Sequence, residues 1–329
     1  MTVKQILRLA TGIILAIFFT WLIARQINLE EIKRAFSGTS TTWVIIGLAA
    51  FSVGYACRIE RWRLMLKRDN FSLNWSHCAG PLLGSFAANN VLPFRAGDVL
   101  RAFAFNGRLG VSSGVVVATL FVERLLDLLM VLVLLGVALA IFGLDVSGFA
   151  GVGSATLIFI AIGILLLLLF PQLFAHVAIA SGKLVALIAP QLGEKLLDEI
   201  NKSLVTLGHL SKGDTMIRLV AWSLAAWLAE GCVFWFAALA LSSMENPAAG
   251  WLALPVGTLA TLIPSTPGYV GTFDYFTVRA MNAMGNNPAA STAYALLVHA
   301  LLWIPPTLIG GLYLLLHPTK KLNKSKVSC

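Results

Sequence analysis

Apolar residues run in long uninterrupted blocks along this chain, and polar residues collect between them. A helix that crosses a bilayer needs roughly 20 mainly apolar residues. Six blocks meet that need: Ile6–Ala24, Thr42–Cys57, Val115–Phe142, Val152–Phe170, Ile217–Leu241 and Ala293–Leu316. The second is short and is expected to continue into the polar stretch Arg58–Arg63. Two further apolar runs are broken. Ala79–Phe94 ends in Asn89-Asn90-Val91-Leu92-Pro93, and Trp251–Ile263 runs into Pro264-Ser265-Thr266-Pro267-Gly268. Proline and glycine there interrupt the helical hydrogen-bond ladder. Irregular backbone at membrane depth survives only where protein buries it or it lines a wet cavity. Both runs are therefore read as re-entrant or discontinuous helices. The two breaks look alike and fall in opposite halves, the pattern of a transporter inverted repeat.

The pattern predicts an all-α polytopic bundle, with six full crossings and two broken elements. Pro171–Lys212 is less apolar. Leu196, Leu197, Ile200, Leu204 and Leu207 share a face opposite Glu194, Asp198 and Lys202, which predicts an amphipathic helix at the membrane surface.

Composition agrees with the bilayer reading. Of 329 residues, 58% are hydrophobic and 12% charged, against about 45–50% and about 25% in ordinary globular chains. No domain-sized polar stretch divides the apolar blocks, so residues 1–329 are read as a single membrane domain. Its last residues, 317–329, form a basic tail. The net charge of +9 does not indicate nucleic acid, because the basic residues flank apolar spans and so set orientation. Lys4 and Arg8, Arg58 to Arg68, Arg95 to Arg108, Lys183 to Lys212 and Lys320 to Lys326 are all assigned to one side. The positive-inside rule makes that side the cytoplasm, with both termini in it. Four cysteines without a CxxC pair suggest neither zinc nor a disulfide framework. The first block lacks a small-x-small cleavage pattern and reads as an uncleaved helix.

An ionised side chain at the bilayer centre costs about 2.5–3.5 kcal/mol on insertion scales. Each one found there needs a partner or a purpose. Glu123, Arg124 and Asp127 sit inside the third apolar block. They either line a path for a lipid headgroup or lock helices together as an internal ion pair. The two acids outnumber the base locally, so a further charge must match them. Arg95 and Arg101 are the candidates, and arginine forks suit carboxylate and phosphate alike. Asn89 and Asn90 either hydrogen-bond in the path or cap the broken helix. Glu230 is the most isolated acid, suited to a buried hydrogen bond, a proton or a cationic headgroup. His299 can titrate near neutrality, though a lone membrane histidine is more often simply hydrogen-bonded. Asp274 either heads a half-helix or touches substrate. No P-loop, zinc motif, D-x-D pair or Ser/His/Asp spacing is present, so no catalytic residue, metal or cofactor is assigned.

These same residues carry a resemblance. Arg58-Ile59-Glu60-Arg61-Trp62-Arg63, Asn89 through Arg101 with Asp98, Glu123-Arg124-Leu125-Leu126-Asp127 and Pro264-Ser265-Thr266-Pro267-Gly268-Tyr269-Val270-Gly271 resemble markers of the lysylphosphatidylglycerol synthase family. The likeness is to its flippase-like membrane domain, over nearly the whole chain. It implies a bundle with broken helices that moves or presents a lipid between leaflets of the bacterial inner membrane. The implied path is Arg58, Arg61, Asn89, Asn90, Arg95, Asp98, Arg101, Glu123, Arg124, Asp127, Glu230, Pro264, Pro267, Gly268, Gly271 and Asp274. Asp98 stands where many members have Glu, and Tyr269 where a second Gly is common. The full synthases carry a C-terminal aminoacyl-transfer domain. This chain ends soon after its last apolar block, so lipid lysinylation is not expected of it.

The expected function is that of a non-enzymatic lipid translocase. Its partners would be membrane lipids, anionic or polyprenyl-linked, with a second copy or an envelope lipid enzyme as protein partner. The rival readings are a membrane-embedded headgroup transferase using Glu123 or Asp127 as base, and a scaffold acting through the amphipathic segment.

Overall fold

The computed structural model describes residues 29–92, 95–144, 154–170, 172–263 and 267–317, and these are all-helical. The helices are α1 (Leu29–Phe36), α2 (Thr41–Leu66), α3 (Trp75–Val91), α4 (Ala96–Phe103), α5 (Asn106–Leu109), α6 (Ser113–Phe142) and α7 (Ser154–Leu169). They continue with α8 (Gln172–Ile188), α9 (Pro190–Leu210), α10 (Gly213–Ala240), α11 (Gly250–Ala260), α12 (Thr272–Ala283) and α13 (Pro288–Leu316). Four of them, α2, α6, α10 and α13, are long and apolar enough to cross a membrane. The predicted crossing at Val152–Phe170 appears as α7, whose 16 residues reach about 24 Å at 1.5 Å per residue. The crossing expected at Ile6–Ala24 and the basic tail beyond residue 317 lie outside the described residues.

Contacts along the long helices fix their directions. The Ser40 N–H at the start of α2 donates to Ala240 O at the end of α10, 2.8 Å away. Further along α2, Arg61 Nη1 meets Ser223 Oγ at 2.9 Å, so α2 and α10 are antiparallel. One end of the bundle thus holds Leu66 and Gly213, and the other holds Thr41 and Ala240.

The two broken runs are helical hairpins that enter from these opposite ends. In the first, α3 rises to its cap at Leu92, and α4, starting at Ala96, folds back on it. Its feet are tied where Asn70 Nδ2 donates to Leu109 O at 2.8 Å. A Cβ on Gly97 would lie 1.8 Å from Ser85 O, so only glycine lets α4 sit this close to α3. In the second hairpin, α11 ends at Ala260 and α12 starts at Thr272. Asn286 ties its feet, accepting from Asn246 N at 2.9 Å and donating to Asn246 O at 3.1 Å.

Long helix, hairpin, long helix occurs twice, as α2–α3/α4–α6 and α10–α11/α12–α13, with opposite directions. The inverted pattern read from two Pro-Gly motifs is thus present in the topology. Each tip breaks in the left-handed region: Arg95 at φ 51° in one, Gly268 at 71° and Tyr269 at 60° in the other. Pro93, Phe94, Pro264, Ser265 and Thr266 fall outside the described residues.

The expected continuation of the second block into Arg58–Arg63 is present: Arg58 and Arg61 lie within α2, where acids and hydroxyls on other helices hold them, and do not belong to a flanking basic loop. One sequence expectation needs correction. The stretch 171–212 is not one amphipathic helix. It is the pair α8 and α9, divided at Ala189 because Pro190 starts a new helix at its first turn. In α9, Ser203 Oγ donates to Gly114 O at 2.9 Å, which seats the pair on the start of α6.

Helices α3 and α13 pack antiparallel through small residues. A Cβ on Gly310 would stand 2.1 Å from Leu83 O, whereas one on Gly311 meets nothing. Gly310→Ala should therefore cost about 1–3 kcal/mol by overpacking and lower the melting temperature in detergent. Gly311→Ala, on the same turn, should leave it unchanged or higher.

Candidate functional site

The four long helices and both tips surround one cavity of about 450 Å³. Its lining falls at helix midpoints: Tyr55 and Arg58 of α2, Arg124, Asp127 and Leu128 of α6, Trp227 and Glu230 of α10, His299 and Trp303 of α13. The tips supply Asn89, Asn90 and Arg95 from one side and Gly268 and Tyr269 from the other. Apolar packing fills the bundle on both sides of this level. Trp62, Leu66, Leu82, Phe105 and Leu109 pack toward one end, and Phe234, Ala237, Leu252, Met281 and Tyr294 toward the other. Phe121 and Leu262 also line the cavity while 43% and 61% exposed, so it reaches the outer, lipid-facing surface of the bundle there.

The charges form two layers. Behind the cavity wall, Arg101 grips Glu123 with both arms, at 3.1 and 2.9 Å, and these residues are 0% and 3% exposed. The indole of Trp62 stacks beneath that guanidinium, 5.0 Å from its centre. Arg61, also sealed at 1% exposure, holds Asp127 at 2.8 Å. Asp98 links the first hairpin to this layer, lying 3.8 Å from Arg101 and 3.6 Å from Arg124 and accepting from Asn89 Nδ2 at 3.0 Å.

Facing the cavity, Arg58 pairs with Glu230, and its guanidinium lies over the rings of Tyr55 and Trp227 at 5.6 Å from each. Arg124 reaches Glu123 at 3.1 Å and Asp127 at 3.9 Å. Arg95 differs from all of these. Its Nε donates to Tyr269 Oη at 3.1 Å, and no carboxylate among the described residues lies within ion-pair distance of it.

A family model for the lysylphosphatidylglycerol synthase transmembrane region matches residues 7–310. The chain belongs to this family. It is also 26% identical to the glycosyltransferase AglD of Haloferax volcanii, over 92% of this chain and 53% of that protein. The chain thus spans about half the length of that relative. A UPF0104 membrane protein of Methanocaldococcus jannaschii is 23% identical over 68% of this chain and 91% of its own length.

In this synthase-family chain the expected path residues divide in a way their spacing did not reveal. Arg58, Asn89, Asn90, Arg95, Arg124, Asp127, Glu230 and Gly268 line the cavity. Arg61, Arg101 and Glu123 are sealed behind it. Glu123 and Asp127 share a helix and a neighbour in Arg124, yet Glu123 is gripped by Arg101 and Asp127 by Arg61. The acids that outnumber the base within α6 are matched from other helices, by Arg101 and Arg61 and not by Arg95, and across the site five arginines stand beside four carboxylates (Asp98, Glu123, Asp127 and Glu230). Arg95 is the base left over.

Asn90 neither caps its helix nor faces the cavity alone. Its Nδ2 donates to Thr307 Oγ1 at 2.8 Å, beside Pro305 and Pro306 in α13. Asp274 heads α12 by accepting from Gly271 N at 2.8 Å, and its other oxygen meets His299 Nδ1 at 2.7 Å. Pro267 opens the short turn at the second tip.

The sequence reading did not single out Tyr269, Trp227 or Trp303 for the site. Trp227 Nε1 donates to Asp127 at 3.2 Å, and the buried Trp303 Nε1 has no acceptor. A tryptophan near a helix midpoint, away from the interfacial positions it favours, was the available signal.

Removing one member of a buried ion pair strands the other, at a cost of about 3–5 kcal/mol, while an apolar replacement of both is often neutral. Glu123→Gln should therefore lower folded yield and melting temperature. The double variant Arg101→Met with Glu123→Leu should recover most of the loss in the same thermal assay.

Proposed function

We propose that this member of the synthase transmembrane family is a lipid translocase that passes a phosphate-bearing headgroup through the mid-bundle cavity. The observation that carries the reading is an imbalance of donors. Among the described residues Arg95 lacks a carboxylate, and Arg124 Nε and Trp303 Nε1 are buried without acceptors beside the same cavity. A phosphate offers several acceptor oxygens and negative charge, and so complements this set. The cavity volume suits a headgroup rather than a whole lipid. The exposed Phe121 and Leu262 at its margin would let acyl or prenyl chains stay in the bilayer. Anionic phospholipids and polyprenyl-phosphate lipids share this chemistry and are both candidate cargo.

The lipid leaves chemically unchanged on this reading. A transferase would need a free carboxylate as base, whereas Glu123 and Asp127 are both held by guanidinium groups. The working cycle is a rearrangement of the two hairpins, which enter from opposite ends and meet at the cavity. We assign the end bearing Arg63, Lys67, Arg68, Arg108 and Lys212 to the cytoplasm of a bacterial inner membrane, by the positive-inside rule. With Ile6–Ala24 as a crossing, both termini lie on that side.

The test is reconstitution into liposomes with labelled phospholipids and labelled polyprenyl phosphates, read by the protection of label in each leaflet. Accelerated exchange of at least one phosphate lipid is expected. Folded protein that accelerates none would overturn the reading. A charge-assisted hydrogen bond contributes about 1.5–3 kcal/mol. Arg95→Gln should therefore slow translocation by about tenfold or more, with Arg95→Lys intermediate and melting temperature preserved in both.

A further inference from the structure

The second hairpin tip is fastened to α13 by a histidine whose two partners are both acceptors. His299 Nδ1 lies 2.7 Å from Asp274 Oδ1, and His299 Nε2 lies 2.9 Å from Gly268 O. A backbone carbonyl can only accept, so Nε2 must carry a proton. The short contact to Asp274 needs a second proton, on either Nδ1 or the carboxyl. The pair therefore holds one proton more than a carboxylate and a neutral imidazole together. In that state it is electrically neutral. The other Asp274 oxygen is occupied by the Gly271 N–H, and Phe273 packs its ring edge against the imidazole, with centroids 5.2 Å apart.

We propose that Asp274 and His299 form a proton-binding site whose occupancy decides whether the second hairpin tip stays latched to α13. When the proton leaves, the imidazole keeps one N–H for two acceptors. Either the Asp274 contact or the Gly268 contact must open, and the uncompensated carboxylate is left at mid-membrane. The Gly268 contact holds a turn whose backbone is in the left-handed region at two successive residues, and Tyr269 in that turn carries the link to Arg95 on the other tip. The charged carboxylate is the stronger acceptor and keeps the remaining N–H, so the Gly268 contact is the one that opens, which unties this tip from α13 and weakens its hold on the other.

His299 faces the cavity, so the site can exchange its proton there. The other ionisable groups on that cavity are Arg58 with Glu230, Arg124 with Asp127, Arg95 with Tyr269, and Tyr55. Among the described residues Asp274 is the one carboxylate that contacts the ring. The contact is present at low pH and lost as pH rises. On the translocase reading, and resting on it, this is the step at which a proton gradient would act on the lipid cycle.

The latch can be tested without measuring lipid transport, so its failure is separate from a failure of translocation. Spin labels are placed at Leu92→Cys and Leu262→Cys, exposed positions at the two tips, in a chain whose native cysteines are alanine. Distances are measured in lipid nanodiscs across the range in which histidine titrates, about pH 5 to 8. One narrow distance is expected at acid pH, with a second population growing as pH rises. His299→Gln and Asp274→Asn should each abolish that pH response. A single distance at every pH in the chain with both residues intact would overturn the proposal. So would an undiminished pH response in either variant.

Discussion

A helix that stops inside a bilayer leaves its last carbonyls and first N–H groups without partners, and lipid offers none. Two hairpins stop there in this chain, and the remaining architecture answers that constraint. The tips meet each other rather than lipid. Arg95 reaches Tyr269 across the gap, Asn90 docks on the proline-loosened middle of α13, and Asp274 takes up the N–H at the start of α12. The feet need no such device beyond one asparagine each, because they lie near the ends of the long helices. Polar side chains are concentrated at the one depth where backbone is irregular.

That concentration then creates its own cost, which a second layer offsets. Arginines and acids at mid-membrane are stable only when paired, and the sealed pairs Arg101–Glu123 and Arg61–Asp127 are buried among apolar groups with several hydrogen bonds each. They position the hairpin against α6 and set the charge of the wall, and of their four residues Asp127 alone lines the cavity. Both layers leave an arginine Nε without an acceptor, Arg61 and Arg101 in one and Arg124 in the other, but in the cavity-facing layer one guanidinium, that of Arg95, rests on a phenol instead of a carboxylate. The difference between the layers separates scaffold from candidate binding surface. Sequence proximity does not, since Glu123 and Arg124 are neighbours and fall in different layers.

Much of this was legible beforehand. Blocks of apolar residues marked α2, α6, α10 and α13 because hydrophobic run length acts locally. The proline and glycine clusters marked both tips, since those residues disturb backbone wherever they occur. The site residues were also mostly visible, as charges in apolar surroundings. Their pairing was not. Arg58 and Glu230 stand 172 positions apart, and Arg61 and Asp127 stand 66 apart. No periodicity links them.

The chain by itself therefore determined the helical class, the bilayer setting, the places where helices break and the residues too polar for lipid. Each follows from short stretches whose solvation is decided by their own side chains. Only the tertiary structure decided which acid meets which base, that Arg95 is the site arginine without a carboxylate among the described residues, and that His299 sits between two acceptors. These depend on how helices remote in sequence are rotated and stacked. One acceptor, the Gly268 carbonyl, points at the imidazole only because a left-handed turn directs it there.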